Sequence, residues 1–237
     1  MIEKLRAAGQ WMEEPRFFNR AVWYVWKFTI AASIVGLVSI CYFNAAKMTA
    51  HRQNDLSNPI DHAIPFVRWT FWIYFTGYIG GIFFSVFAFR NTTTFYKTCL
   101  AIVVGQTICT IWFFILPSTF PRPLDSGYGL TGEALRWFWV LDPPNNTFPS
   151  KHVCIMTLCA MGLWSDDNNR LKWISSLMWF GVLISVHTAK QHYLVDAVAG
   201  VGVALISYWI VFLWWPRRRS ARATNPAEDR FEDRARA

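Results

Sequence analysis

Lys190-Gln191-His192-Tyr193-Leu194-Val195-Asp196 closes one apolar run and opens another. Ionisable groups at the border of hydrocarbon are expensive and usually functional. Read as helix, the stretch puts His192 and Asp196 four residues apart on one face. A carboxylate there accepts a hydrogen bond from one imidazole nitrogen and leaves the other free to attack. An interfacial histidine beside a solvated acid fits the same spacing. The rest of the chain decides between the two.

The 237 residues are 54% hydrophobic and 18% aromatic, with only 16% charged, against about 25% in a soluble domain. Fourteen Trp and 20 Phe suit lipid-facing surface and aromatic belts. A spanning helix takes roughly 20 apolar residues. The candidate runs are 21–43, 69–89, 98–116, 152–165, 173–189 and 193–215, the fourth being short. They predict an all-α integral membrane protein, six transmembrane helices in one bundle over residues 21–215. An amphipathic interfacial segment, 1–20, precedes the bundle, and a basic, disordered cytoplasmic tail, 216–237, follows it. Lys27, near one end of the first run, is expected to snorkel to the interface. Gly77, Gly80 and Gly81 in the second run let a neighbouring helix come close.

The formal net charge is +8, concentrated at the ends and in short loops, unlike a nucleic-acid-binding patch. The N-terminal lead, Arg90 with Lys97, Arg170 with Lys172, and Arg217-Arg218-Arg219 fall on one side of a six-span bundle. The positive-inside rule makes that side, with both termini, cytoplasmic. The loops 44–68 and 117–151 and the turn before His192 then face a periplasm, lumen or exterior. Cys41, Cys99, Cys109, Cys154 and Cys159 all lie in apolar runs without metal-site spacing, so neither disulfides nor a structural metal are expected. Asp125, Glu133 and Asp142 are scattered, so no catalytic metal or other cofactor is expected either.

Two clusters stand in the long loop. In Leu116-Pro117-Ser118-Thr119-Phe120-Pro121-Arg122-Pro123, prolines on both sides of Arg122 fix where the guanidinium points. Its fork matches phosphate oxygens. Asp142-Pro143-Pro144-Asn145-Asn146-Thr147-Phe148-Pro149-Ser150-Lys151-His152 runs straight into the fourth apolar run. Ser150 is a helix cap there, and His152 sits in the first turn, beside the anion site of the helix start. The outward face thus gathers Arg122, Ser150, Lys151, His152, Lys190, His192 and Asp196.

These motifs resemble the type-2 phosphatidate phosphatase superfamily of membrane lipid phosphatases. The family pattern is Lys-x6-Arg-Pro, then Pro-Ser-x-His, then Ser-Arg-x5-His-x3-Asp. Arg122-Pro123, Pro149-Ser150-Lys151-His152, and Ser185, His192 and Asp196 match it in order and spacing. The first-motif Lys and third-motif Arg are replaced by Ile115 and Val186, and Lys151 stands where Gly is usual. Lys190 and Lys151 are the candidate substitute cations. Gln191-His192-Tyr193 and the Asn-x-Phe-Pro-Ser lead-in are closer in style to the inositol phosphorylceramide and sphingomyelin synthase branch. The resemblance implies His192 as nucleophile, Asp196 as its orienting partner, and His152 as acid and base. Arg122, Ser150 and a lysine would hold phosphoryl oxygens of a lipid phosphate or phospholipid. Hydrolysis, transfer to a lipid alcohol, and non-enzymatic carriage of an anionic lipid or solute all stay open.

Overall fold

The structure, a computed structural model, describes residues 17–142, 144–167 and 169–214. The expected interfacial segment, up to residue 16, and the tail 216–237 lie outside the described residues. Apart from one two-residue strand pairing, the regular structure among them is helical. The helices are α1 (Phe17–Thr49), α2 (Pro59–Ala63), α3 (Thr70–Ala88), α4 (Thr92–Ile115), α5 (Gly129–Leu141), α6 (Lys151–Trp164), α7 (Lys172–Thr188) and α8 (Leu194–Tyr208). A π-helical turn, Trp209–Trp214, prolongs α8. Four stretches are long and apolar enough to cross a membrane: Ala21–Thr49, Thr70–Ala88, Thr92–Ile115 and Leu194–Trp214. They mark a multi-pass membrane protein. Helices α6 and α7, at 14 and 17 residues, fall below that length.

Helix α6 is the centre of the bundle, packed on α3, α4, α7 and α8. Cys154, Met156, Leu158 and Leu163 on it are fully enclosed. A helix apolar on every face is a buried one. Helix α3 comes close to α7 where Gly77 faces Val182, a Cβ there lying 3.1 Å from its methyl.

Three features differ from the sequence reading, two of them helix boundaries. Helix α4 starts at Thr92 because the Asn91 side chain accepts the Thr94 N–H at 3.0 Å, so residues 92–97 are helix and not loop. Helix α1 runs on to Thr49, with Tyr42, Ala45 and Ala46 packed inward. Lys27 does not snorkel outward: it is buried, donating to the Phe89 carbonyl at 2.8 Å under the Trp23 ring at 3.7 Å. A buried carbonyl and an aromatic face replace the water that its ammonium gives up.

The other end of the bundle carries the long loops, which are knitted together. Strand β1 (Asn54–Asp55) pairs in parallel with β2 (Ser118–Thr119), and Thr119 bridges to Asn145. Ser118 Oγ accepts the Phe148 N–H at 2.8 Å. Helix α5 lies within a stretch the sequence reads as loop. Helix α8 meets the start of α6 backbone to backbone. The Ser150 N–H donates to the Asp196 carbonyl at 2.9 Å. A Cβ on Gly200 would stand 2.6 Å from the Ser150 carbonyl oxygen. Gly200→Ala is therefore expected to destabilise the protein by about 1–3 kcal/mol, read as a lower thermal midpoint in detergent. An unchanged midpoint would show that the two backbones are not so close.

Candidate active site

His192 is not helical, contrary to the geometry first assumed for it. It stands in the turn between α7 and α8, ahead of the helix-capping residue Tyr193. The Val186 carbonyl accepts both the Gln191 N–H at 2.8 Å and the His192 N–H at 3.1 Å. The turn is held from outside by α2. Asp61 Oδ1 accepts the Leu194 N–H at 2.8 Å, and Lys190 Nζ donates to the carbonyls of Asp61 at 2.8 Å and Ile64 at 2.5 Å. Asp196 still meets His192, but through cap geometry. Its Oδ2 accepts the Tyr193 N–H at 3.0 Å and lies 3.4 Å from His192 Nδ1.

The ring nitrogens order themselves. His192 Nδ1 faces two acceptors, the Thr147 carbonyl at 3.1 Å and Asp196 Oδ2, so it carries hydrogen. In a neutral ring Nε2 is then an acceptor. It lies 3.3 Å from His152 Nδ1, which must donate. His152 Nε2 is in turn an acceptor and takes the hydroxyl of Tyr74 at 3.1 Å. Tyr74, His152 and His192 thus form one directed chain, ending on a buried carboxylate. Burial excludes water from these bonds and strengthens them.

Arg122 and Lys151 line the same pocket as the two histidines, with Tyr42, Tyr74, Asp142, Asn145, Asn146, Thr147 and Gln191. The free cavity there is only about 10 Å³, about one water's worth. Arg122 donates to the Gln191 side chain, to the Lys190 carbonyl at 3.3 Å and to the Asp142 carbonyl at 3.1 Å. The Asp142 carboxylate is 3.9 Å away. Burial lowers the Arg122 pKa, and Asp142 pulls it back up. The Lys151 ammonium sits 3.1 Å from the centre of the Tyr42 ring.

Two of the expected residues face elsewhere. Ser150 is fully buried, its Oγ accepting the Val153 N–H at 3.3 Å as the α6 cap. Lys190 is not among the lining residues, its ammonium being held on α2. Asp142, Gln191, Tyr42 and Tyr74 belong to the pocket and were not singled out from sequence. Asp142 and Gln191 stood inside the quoted motifs, whereas Tyr42 is 100 residues from Asp142. Among the described residues, no group of three or more His, Cys, Asp or Glu side chains is arranged to hold a metal ion.

A family model described as the PAP2 superfamily matches residues 46–210. The chain belongs to the PAP2 superfamily. Members of this superfamily are generally phosphatases. The match is to the superfamily as a whole and singles out no branch of it. No curated protein matches the chain. The match takes in α2 to α8 with the loops that build the pocket, and it leaves out most of α1. At the two positions where the family pattern has a cation, Ile115 is exposed at the end of α4 and Val186 is fully buried. Neither stands in the pocket, and Lys151 is the lysine that does.

Lys190 has φ 53°, a left-handed conformation uncommon for a side-chain-bearing residue. Its ammonium fixes the turn to α2 through two carbonyls. Lys190→Met is expected to cost about 1–3 kcal/mol of stability, seen as a lower unfolding midpoint. A stable Lys190→Met protein that has lost phosphate affinity would put this lysine in the pocket instead.

Proposed function

We propose that the protein is a membrane lipid-phosphate phosphatase or phosphotransferase working through a phosphohistidine on His192. The observation that carries this is the 3.3 Å approach of His192 Nε2 to His152 Nδ1, with the far nitrogen of His192 committed to Thr147 and Asp196. A pocket built only to bind an anion needs positive charge. It does not need a nucleophile of fixed tautomer beside a second proton donor.

In the first step the lone pair of His192 Nε2 attacks phosphorus as the bond to the leaving oxygen breaks. His152, carrying a second proton on Nε2 once the anionic substrate is bound, gives its Nδ1 proton to that oxygen and is left neutral. The His192 ring becomes cationic, and the Asp196 carboxylate, buried at 3.4 Å, stabilises it. In the second step His152 takes a proton from the incoming hydroxyl, whose oxygen attacks phosphorus. The N–P bond breaks and the pair returns to Nε2. Arg122 and Lys151 hold the non-bridging oxygens as charge builds on them. Ser150 acts through its cap, by presenting the start of α6 and His152 with it. No step is routed through a metal, and the rate is expected to be unchanged by EDTA.

The incoming hydroxyl belongs to water or to a lipid alcohol. The transfer reading follows from the motif style around Gln191-His192-Tyr193. Adding a long-chain alcohol to the assay and looking for a new phospholipid separates the two. In this reading all six apolar helices cross the membrane, α6 and α7 sheltered by the others, with the site on the non-cytoplasmic side and the termini in the cytoplasm. Labelling a cysteine placed at Ser126 from each side checks the sidedness.

The test of the mechanism is phosphate release from a long-chain phosphatidic acid by the purified protein in detergent. His192→Ala is expected to abolish it, together with an acid-labile, alkali-stable phosphoryl adduct. His152→Ala is expected to cost about 10²–10⁴-fold on the lipid and far less on nitrophenyl phosphate, whose leaving group needs no proton. Full activity in His192→Ala would end the proposal.

A further inference from the structure

We propose that Tyr42 is a positioning residue that sets both cations of the pocket, its hydroxyl acting through Asp142 on Arg122 and its ring acting on Lys151. The inference rests on the reading of the pocket as a phosphoryl site. It adds to the site a residue from α1, upstream of the family-matched region, which begins at residue 46.

Tyr42 is buried, 4% exposed, near the end of a helix whose other large apolar side chains are mostly outward. Its hydroxyl donates to Asp142 Oδ1 at 2.8 Å and also reaches the Asn145 carbonyl at 3.2 Å. Asp142 Oδ2 is the atom that faces the Arg122 guanidinium. The hydroxyl therefore fixes the rotation of the carboxylate and thereby the side it presents to Arg122. Hydrogen bonds to an ionised group are the strong class, and this one is removed from water.

The ring does a different job. Lys151 Nζ is 3.1 Å from its centroid. No oxygen among the described residues accepts from that ammonium. A π face attracts a cation from one side and leaves the N–H groups on its other side without an oxygen acceptor. Lys151 is thus held in the pocket with the donors that point away from the ring open to phosphoryl oxygens. Had a carboxylate held it, an entering phosphate would have to displace that carboxylate.

Tyr42 is itself fixed. Its main-chain carbonyl accepts Asn146 Nδ2 at 3.3 Å, and Thr49 Oγ1 donates to Asn146 Oδ1 at 3.3 Å. Its ring also meets Phe113 of α4 edge to face at 5.9 Å. Asn146 takes φ 55° to make these contacts, a conformation that Asn tolerates better than most residues. The segment carrying Asp142 and Lys151 is so registered against α1 by the same residue that touches both.

The experiment uses the full-length protein in detergent with inorganic phosphate as probe. Affinity is read from the phosphate-induced rise in unfolding midpoint, which needs no turnover. Tyr42→Phe keeps the ring and is expected to weaken phosphate binding about 10-fold. Tyr42→Leu removes both functions and is expected to weaken it about 100-fold. The decisive reading is coupling. In a Lys151→Ala background Tyr42→Leu should retain only the hydroxyl's share, about 10-fold, and in Asp142→Asn the effect of Tyr42→Phe should nearly vanish. A residue that merely supports the fold would lower the ligand-free midpoint and add its effects independently of Lys151 and Asp142. Additive effects, unchanged phosphate affinity in Tyr42→Leu, or no phosphate stabilisation of the wild-type protein would each overturn the proposal. A His192→Ala protein that still turns over while the coupling holds would defeat the phosphohistidine reading and leave this one standing.

Discussion

One buried proton, on Nδ1 of His192, orders the candidate site. With the Thr147 carbonyl and the Asp196 carboxylate both facing that nitrogen, hydrogen must be there. Everything downstream follows by exclusion. Nε2 of His192 becomes an acceptor, Nδ1 of His152 a donor, and the Tyr74 hydroxyl the last donor in the line. Exchanging the two ring nitrogens of His192 would set a lone pair against two oxygen acceptors in a dry environment. That arrangement costs far more than the one observed.

Holding this proton in place takes three residues, two of them four apart in sequence and the third, Thr147, 45 residues from His192. Thr147 is positioned by Ser118, whose hydroxyl meets the Thr147 hydroxyl at 2.9 Å and accepts the Phe148 N–H. Asp196 is positioned by the start of α8. His192 is positioned by Val186 behind it and by α2 outside it. Strand pairing between residues 54–55 and 118–119 ties the first of these loops to the second. The bundle fixes the helix ends, and the loops convert those ends into the geometry of the site. This division of labour is what places function on loops over a rigid scaffold.

Much of this was legible in the sequence. The apolar runs gave the helices, and the four-residue spacing of His192 and Asp196 pointed to a real contact, although the helix assumed for it is a capped turn. The fourth run was hard to read as a span because it is short, and α6, at 14 residues, is an interior helix. What stayed hidden depends on reach across the fold. Lys151 and Lys190 each stand within two residues of a histidine in sequence, yet one ammonium turns onto a tyrosine ring in the pocket and the other onto the carbonyls of Asp61 and Ile64. Periodicity carries no information on that choice. Tyr42 was hidden more deeply, being one aromatic among many in an apolar run. Helix α5 was missed because its first turn, Gly129-Leu130-Thr131-Gly132, has the composition of a loop.

The charge balance of the pocket shows why its cations can sit so deep. Arg122 and Lys151 are offset by the carboxylates of Asp142 and Asp196, so the formal charges cancel when both histidines are neutral. A buried cation without such an offset would carry a desolvation cost of several kcal/mol. Yet the offset is arranged so that it leaves binding capacity in place. Arg122 Nε has no hydrogen-bond partner among the described residues, and neither has Asp196 Oδ1. Lys151 is held by a ring. Buried polar atoms without partners are uncommon in folded proteins and tend to mark places where chemistry occurs. A donor is left open on a cation that lines the pocket, and an acceptor on the carboxylate behind His192. The first suits an oxygen gaining negative charge. The second stands on the carboxylate whose other oxygen, Oδ2, faces the His192 imidazole. In the proposed mechanism, the Arg122 guanidinium and the Asp196 carboxylate would meet the negative and the positive charge created in one step, the attack of His192 on phosphorus.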